Sequence, residues 1–524
     1  MRIESDSFAE LPFSALFKAF SAGDPRLKPF YSHFPASRDS LTAAADVHRW
    51  SGDRSAMVGI LTELNAPYQP HPAAVENIRR LGQEGAMAMV TGQQLTVFGG
   101  PLFTIYKLIT AIVLARKVEA DTGKPVIPVF WMADEDNDYA EIAGIGFPSK
   151  GQWFNDSLAA SSDAPHSAGF LKVGADIDRL LAAVDESLTP GDHHDAILTL
   201  LRNAYQADAS HPAAFGSLLT ALFSKHGLVL AGSTSASAKT LLAPAMVRYA
   251  ERHDRCRQAL ESSSEAISAL FHAQAAVGSS LLFEHSPTQG RVKIDRITPE
   301  LIERIRTSPE LFSPNVFLRP ILQDTLLPTL AYIGGPGEIA YYAQMKAFYE
   351  VMDCPMPVIL PRFSATVVDA AIRRNLEDSA LPWTAHNRRV EDLDADVLKT
   401  AAAPDVDANL DRWRSELERI HGEHDGWISE VDPTLAASAE SVLKEQQNAL
   451  EKLRQKLMRA LKQKEETRIR RARQVRDALF PNGNLQEREW AMIHVMNRYG
   501  LGVWDELIET WAQEFPDRHF RIEP

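Results

Sequence analysis

Residues Met87–Glu141 read MAMVTGQQLTVFGGPLFTIYKLITAIVLARKVEADTGKPVIPVFWMADEDNDYAE, and the fold class turns on how this stretch divides. Ala86–Val90 is a short apolar run closed by Thr91-Gly92, the pattern of a buried strand entering a loop. Pro101 opens a segment in which Leu102, Ile105, Leu108, Ile109, Ile112 and Val113 recur at helical spacing, and Gly123 supplies a stop. Val126–Met132 is a second apolar run, ending in Asp134-Glu135-Asp136-Asn137-Asp138. Strand, glycine loop, helix and strand predict a βαβ unit with a right-handed crossover. Ligands of such parallel sheets gather beyond the carboxyl ends of the strands. The Thr91–Pro101 loop and the Asp134–Asp138 acids are therefore expected at one rim, forming the site.

Working outward, residues 1–150 are read as the first part of a Rossmann-like α/β core. Residues 151–225 are polar and carry helical periodicity through Ile177, Leu180, Leu181 and Val184, predicting a helical insertion. The core resumes over 226–375. There Gly227–Gly232 reads as a short strand, and the apolar runs flanking Pro287–Gly290 read as a hairpin. From 376 to 480 the seam Leu410, Trp413, Leu417, Ile420, Trp427, Val431 breaks at Asp432-Pro433 and resumes at Leu443, Leu450, Leu453 and Leu457. That predicts a long antiparallel helical hairpin, a coiled-coil stalk. A second arm of about 45 residues would reach roughly 65–70 Å at 1.5 Å per residue. Its narrow apolar stripe calls for a partner subunit, hence a homodimer. Residues 481–524 are expected to form a helix docking back on the core.

A chain of 524 residues exceeds one ordinary core, and 45% hydrophobic with 24% charged residues describes a globular protein. A net charge of −14 argues against a general nucleic-acid binder. The opening MRIESDSFAELPF lacks a signal-peptide core, and no apolar stretch approaches the roughly 20 residues that span a bilayer, so a cytoplasmic location without membrane attachment is expected. Two cysteines, Cys256 and Cys354, make neither a disulfide framework nor a zinc site. Asp192-His193-His194-Asp195 is a poor metal motif, because adjacent helical histidines diverge.

TGQQLTVFGGPLFTIYK, PVFW and the acidic cluster recur with SPNVFLRPILQDTLLPTLAYIGGPGEIAYYAQ (Ser313–Gln344), PVILPRFSAT (Pro357–Thr366) and LQEREW…NRYG (Leu485–Gly500). In that order they resemble the bacillithiol-synthesis cysteine-adding enzymes. The resemblance implies a nucleotidyltransferase-like Rossmann core, helical insertions and a dimerising stalk. The implied ligase activity adds L-cysteine to glucosaminyl malate in the last step of bacillithiol synthesis. Nucleotidyltransferases carry His-x-Gly-His at the glycine loop, whereas Phe98-Gly99-Gly100-Pro101 has neither histidine. That departure implies a retained fold with ordinary adenylate chemistry lost or relocated. ATP or ADP is the nucleotide the resemblance allows.

The residues suggest these roles. Thr91, Gly92, Gln93, Gln94 and Gly100 offer loop N–H groups for an anion or an oxyanion, with Tyr106 and Lys107 on the following helix. Tight packing of the glycines is the alternative. Asp134, Asp136 and Asp138 alternate, which in extended chain puts three carboxylates on one side. They suit an amine, Mg²⁺ or a general base, with Asp136 and Asp138 the catalytic candidates. Asn315, Arg319, Gln323 and Asp324 form a polar group in which Arg319, with Lys107 and Arg362, suits substrate carboxylates. Glu338 and Gln344 belong to a helix opened by Gly334-Gly335-Pro336, where Glu338 either caps the helix or binds the ammonium of cysteine. Ser364 accompanies Arg362. Gln486, Arg488, Arg498 and Tyr499 are candidates for a second nucleotide pocket. Two other functions fit the same residues: nucleotidyl transfer to another small carboxylic acid, or a non-catalytic dimeric scaffold.

Overall fold

The computed structural model describes residues 1–160, 165–400 and 405–524. They pack as two units, Met1–Val367 with Gln486–Pro524, and Val368–Leu485.

The first unit is built on a five-stranded sheet. Its strands are β1 (Met87–Gln93), β2 (Val126–Met132), β3 (Val229–Ala231), β4 (Thr329–Gly334) and β5 (Val358–Pro361). The order across the sheet is β5-β4-β1-β2-β3, with every pair parallel. Parallel strands are covered on both faces, which is why these segments read as apolar runs without alternation. The predicted crossover is α1 (Leu102–Thr122), entered from Pro101 and closed by Gly123 at φ 67°, whose N–H donates to Glu119. Every residue of α1 from Thr104 to Ala115 is buried, so the helix is enclosed on all sides. Leu114, Ala115 and Val118 pack with Met87, Met89, Val126 and Leu360 in a core that also takes Leu41, Ala44 and Ala45.

The 151–225 segment departs from its helical reading at its start. Gly144–Ser149 and Gln152–Ser157 form an antiparallel hairpin, its turn made by Lys150 and Gly151 at φ 46° and 81°. Two positive φ values in a two-residue turn match strand twist, and Phe147 packs on Phe154 across the strands at 4.7 Å. Helices follow at Ile177–Ser187, His194–Ala204 and His211–Phe223. The hairpin read around Pro287–Gly290 forms, with Leu282–Ser286 pairing Gly290–Lys293, and Phe312–Pro314 joins as a third strand. Arg2–Asp6, His519–Glu523 and Ser364–Val367 make a further small sheet.

In the second unit, Val406–Val431 and Ala436–Lys464 form the predicted helical hairpin, reversed at Asp432-Pro433. Arg454 bonds Asp407 at 2.8 Å and Gln447 bonds Glu418 at 2.9 Å between the arms. The second arm is shorter than expected. It ends at Lys464, and Glu466–Leu479 is a separate helix, because Glu465 leaves helical geometry at φ −96°, ψ 11°. Its 29 residues make about 43 Å at ~1.5 Å per residue. Residues 462–476, rich in lysine and arginine, are therefore divided between two helices. The inner face of the later one, Ile469 and Ala472, packs on Leu393, Val397 and Leu398.

Candidate active-site cavity

The loops after β1, β2 and β4 enclose a cavity of about 710 Å³. Such a volume suits a small-molecule substrate. Its wall includes Lys107, 2% exposed, whose Nζ donates to the Gly92 carbonyl and to Gln93 Oε1, both at 2.8 Å, and pairs with Glu338. Glu338 also accepts from the Gly335 N–H at 2.7 Å and the Tyr332 hydroxyl at 2.5 Å. Burial pulls the Lys107 ammonium below its usual value, with Glu338 opposing. Burial pushes the Glu338 carboxyl up, but Lys107 and the two donors override it and hold it low. Glu338 thus caps its own helix and serves Lys107 together, so each charge already has a partner.

The acidic run does not keep its predicted alternation. The chain turns at Asp134, so the three aspartates diverge. Asp134, 2% exposed, accepts from the Thr234 hydroxyl at 2.6 Å and from the Ser233 and Thr234 N–H groups at 3.4 and 3.3 Å. Burial, with Glu135 adding, pushes its carboxyl up to about 6. Asp136 Oδ1 accepts the N–H groups of Asn137 and Asp138, and its Oδ2 accepts from Gln94 Nε2 at 2.9 Å. The same Gln94 amide donates to Glu141 at 2.7 Å. Asp138 caps the short helix Tyr139–Ala143 through the Glu141 N–H and stands outside the cavity wall. Asp134, Glu135, Asp136 and Glu141 do line it.

Across the cavity, Arg319 donates to Gln323 Oε1 at 3.1 Å and to the Tyr341 hydroxyl at 2.7 Å, with Tyr332 beneath it. Gln323 stands between Arg319 and Asp324, and Asp324 accepts from Gln323 and from Tyr349 at 2.7 Å. Arg362, 3% exposed, pairs with Glu487 at 2.6 Å, and its buried Nε has no hydrogen-bond partner among the described residues. Arg488 shares this wall.

Several other candidates are placed as supports. Thr91 donates to the Ile333 carbonyl at 2.9 Å, joining β1 to β4. Tyr106 is buried against Phe363. Asn315 Oδ1 accepts the N–H groups of Phe317 and Leu318, and it also lines the cavity. Gln344 holds the Ala275 N–H and carbonyl at 3.0 and 2.8 Å, fixing a loop whose Gln274 and Ala275 reach the cavity. Ser364 bonds Glu487 and His519. Gln486 bonds both backbone groups of Val367, and Arg498 lies 5.6 Å from the Tyr499 ring. The loop glycines are closely packed, and Gly92 also lines the cavity. A Cβ on Gly92 would meet the Trp131 carbonyl at 2.8 Å, and one on Gly99 would meet Met492 at 2.4 Å.

Glu135, Glu141 and Arg291 line the cavity without having been singled out in the sequence. Glu135 lies within the acidic cluster and Glu141 just after it, and the alternation of the aspartates marks neither. Arg291 sits in a hairpin strand and donates to Asn137 and Ser313, both at 3.0 Å. Nothing local in its sequence announces that reach. Among the described residues no group of three His, Cys, Asp or Glu converges as a metal set.

Family models agree with this architecture. The N-terminal Rossmann-like domain of bacillithiol biosynthesis BshC matches residues 1–363, and the C-terminal coiled-coil domain of BshC matches 365–521. A protein named "Putative cysteine ligase BshC" from Koribacter versatilis is 32% identical over 520 residues, covering 96% of each chain. The namesake from Chloroherpeton thalassium is 32% identical with 97% of each chain covered. The one from Geobacillus kaustophilus is 28% identical, covering 87% of this chain and 88% of its own. The chain, with its Rossmann-like core and coiled-coil hairpin, belongs to the bacillithiol biosynthesis BshC family.

Proposed function

We propose that this chain is a cytoplasmic cysteine ligase that joins the carboxyl of L-cysteine to the amine of glucosaminyl malate. The observation that carries the reading is the cavity's division of charge. Arg319 packs over Tyr332 of β4 and Arg362 follows the edge strand β5, while Glu135, Asp136 and Glu141 follow β2 on the other side of β1; Arg488 also lines the cavity. The basic flank suits the two malyl carboxylates, since arginine forks match carboxylate geometry. The acidic flank suits amino groups. In the reaction a C–N bond forms at the cysteine carboxyl carbon while a carboxyl oxygen leaves with an activating group, for which ATP is the proposed source. The attacking amine gives up a proton, and Asp136, fixed by Gln94, is the proposed acceptor.

A homodimer formed along the helical hairpin completes the reading. No described helix is long and apolar enough to cross a membrane. The test is thiol profiling of cells lacking the protein, together with mass spectrometry of purified protein given cysteine and glucosaminyl malate with and without ATP. Accumulated glucosaminyl malate and an ATP-dependent cysteinyl adduct are expected. Intact bacillithiol in the deletion strain would sink the assignment.

A further inference from the structure

Glu135 stands in the cavity wall at 6% exposure. Its Oε1 accepts from the Lys239 ammonium, which also donates to the Phe312 carbonyl and is itself 2% exposed. Its Oε2 is buried and has no hydrogen-bond partner among the described residues. The neighbouring acids differ. Asp134 is served by Thr234 and Ser233, Asp136 by Gln94 and two backbone N–H groups, and Glu141 by Gln94. Arg291, the cation on this side of the wall, is spent on Ser313, Asn137 and the Pro314 carbonyl, with Phe283 beneath its guanidinium at 4.0 Å. Buried polar atoms are almost always paired, and a buried carboxylate oxygen left unpaired is costly. Its complement is an N–H donor, best a charged one.

We infer that Glu135 anchors the α-ammonium of the amino-acid substrate, a role that rests on the cysteine-ligase reading of this cavity. Two amino groups enter that reaction, and they need opposite treatment. The sugar amine must be neutral, with its lone pair free. The α-ammonium of cysteine must stay charged throughout, or it would compete as the nucleophile. A carboxylate fixed by a buried lysine on one oxygen and unpaired on the other suits that standing charge. Lys239 is the positioning residue, since it holds Glu135 from behind and is not part of the cavity wall.

The test is calorimetric titration of the full-length chain with L-cysteine and with 3-mercaptopropionate, which keeps the thiol and carboxyl but lacks the amino group. Wild type should bind cysteine at least about tenfold more tightly, the scale of one charged hydrogen bond. Glu135→Gln should erase that preference while leaving 3-mercaptopropionate within about twofold. The double variant Glu135→Gln/Lys239→Met removes both buried charges together and should behave the same. It guards against misfolding of the single variant, judged by circular dichroism and melting. A folded variant with wild-type cysteine affinity overturns the inference, as does a wild type that binds both thiols alike. The ligase reading is tested separately by turnover: protein that binds cysteine through Glu135 yet forms no adduct would sink that reading and leave the anchor standing.

Discussion

Gln94 and Asp136, 42 residues apart in the chain, are joined by one hydrogen bond of 2.9 Å from the Gln94 amide to the carboxylate. The bond ties the loop after β1 to the loop after β2 across the sheet rim. The same amide nitrogen reaches Glu141 at 2.7 Å, so a single side chain holds two acids at a fixed separation. This contact turns two neighbouring loops into one wall.

Asp136→Asn should abolish product formation, by about a hundredfold or more, without unfolding the protein, because general-base catalysis contributes on that scale. The asparagine Oδ1 can still accept the backbone N–H groups of Asn137 and Asp138 that Asp136 now holds. Near-normal turnover, followed as cysteinyl adduct by mass spectrometry, would remove this acid from the chemistry.

Asp134 predicts a pH dependence of stability. Its carboxyl is pushed from 3.8 to about 6, chiefly by burial. The folded chain therefore keeps this proton over a range where the unfolded chain has lost it. The resulting stabilisation is full below 3.8 and is lost as pH rises through about 6. Two pH units correspond to about 3 kcal/mol as an upper bound. Measured against Asp134→Asn, which cannot titrate, the wild-type advantage in urea unfolding should shrink by up to about that amount between roughly pH 3.5 and 7. His211, His285 and His519, held down to about 4 by burial, act in the opposite sense and are present in both proteins, so they cancel in the difference. Parallel curves would refute the assignment.

Lys107→Met should cost about 3–5 kcal/mol, because it leaves Glu338 in the wall without its cation. The Gly92 carbonyl and Gln93 Oε1 also lose their donor. Lys107→Met/Glu338→Gln should recover part of that loss, since removing both charges avoids an orphaned one. Denaturant unfolding of these two variants and of Glu338→Gln checks the coupling, and strictly additive losses would show that the pair is not a unit.

What was legible in the sequence follows from the range of the interactions. The β1-α1-β2 unit could be read because apolar runs, Pro101 and Gly123 are local signals that agree with each other. The helical hairpin and its reversal at Asp432-Pro433 could be read for the same reason. The hairpin at Lys150-Gly151 was missed because its flanking strands are half-polar and short. The wall chemistry was less legible. That Lys107 is consumed by Glu338, or that Arg291 reaches Asn137, depends on strand order and register, which no local pattern encodes. The alternation of Asp134, Asp136 and Asp138 misled because it holds only in extended chain, and the chain turns there.

The helical hairpin predicts its own partner. Trp413, Ile420 and Trp427 follow one another at intervals of seven and are 52%, 40% and 56% exposed, with Val431 at 70%. Leu435, just before the return arm, and Val442 on it, again seven apart, are 41% and 48% exposed. No residue of the first arm is buried. An interval of seven keeps side chains on one face of a supercoiled helix, and a contiguous apolar face of this kind marks an association surface. The proposed homodimer covers it, and the chain should sediment at twice its 58.1 kDa mass. Trp413→Glu/Trp427→Glu places two charges in the seam and should yield monomers, with the melting of the Rossmann-like unit little changed. Wild type sedimenting as a monomer would refute the dimer, and a variant that stays dimeric would place the subunit contact elsewhere.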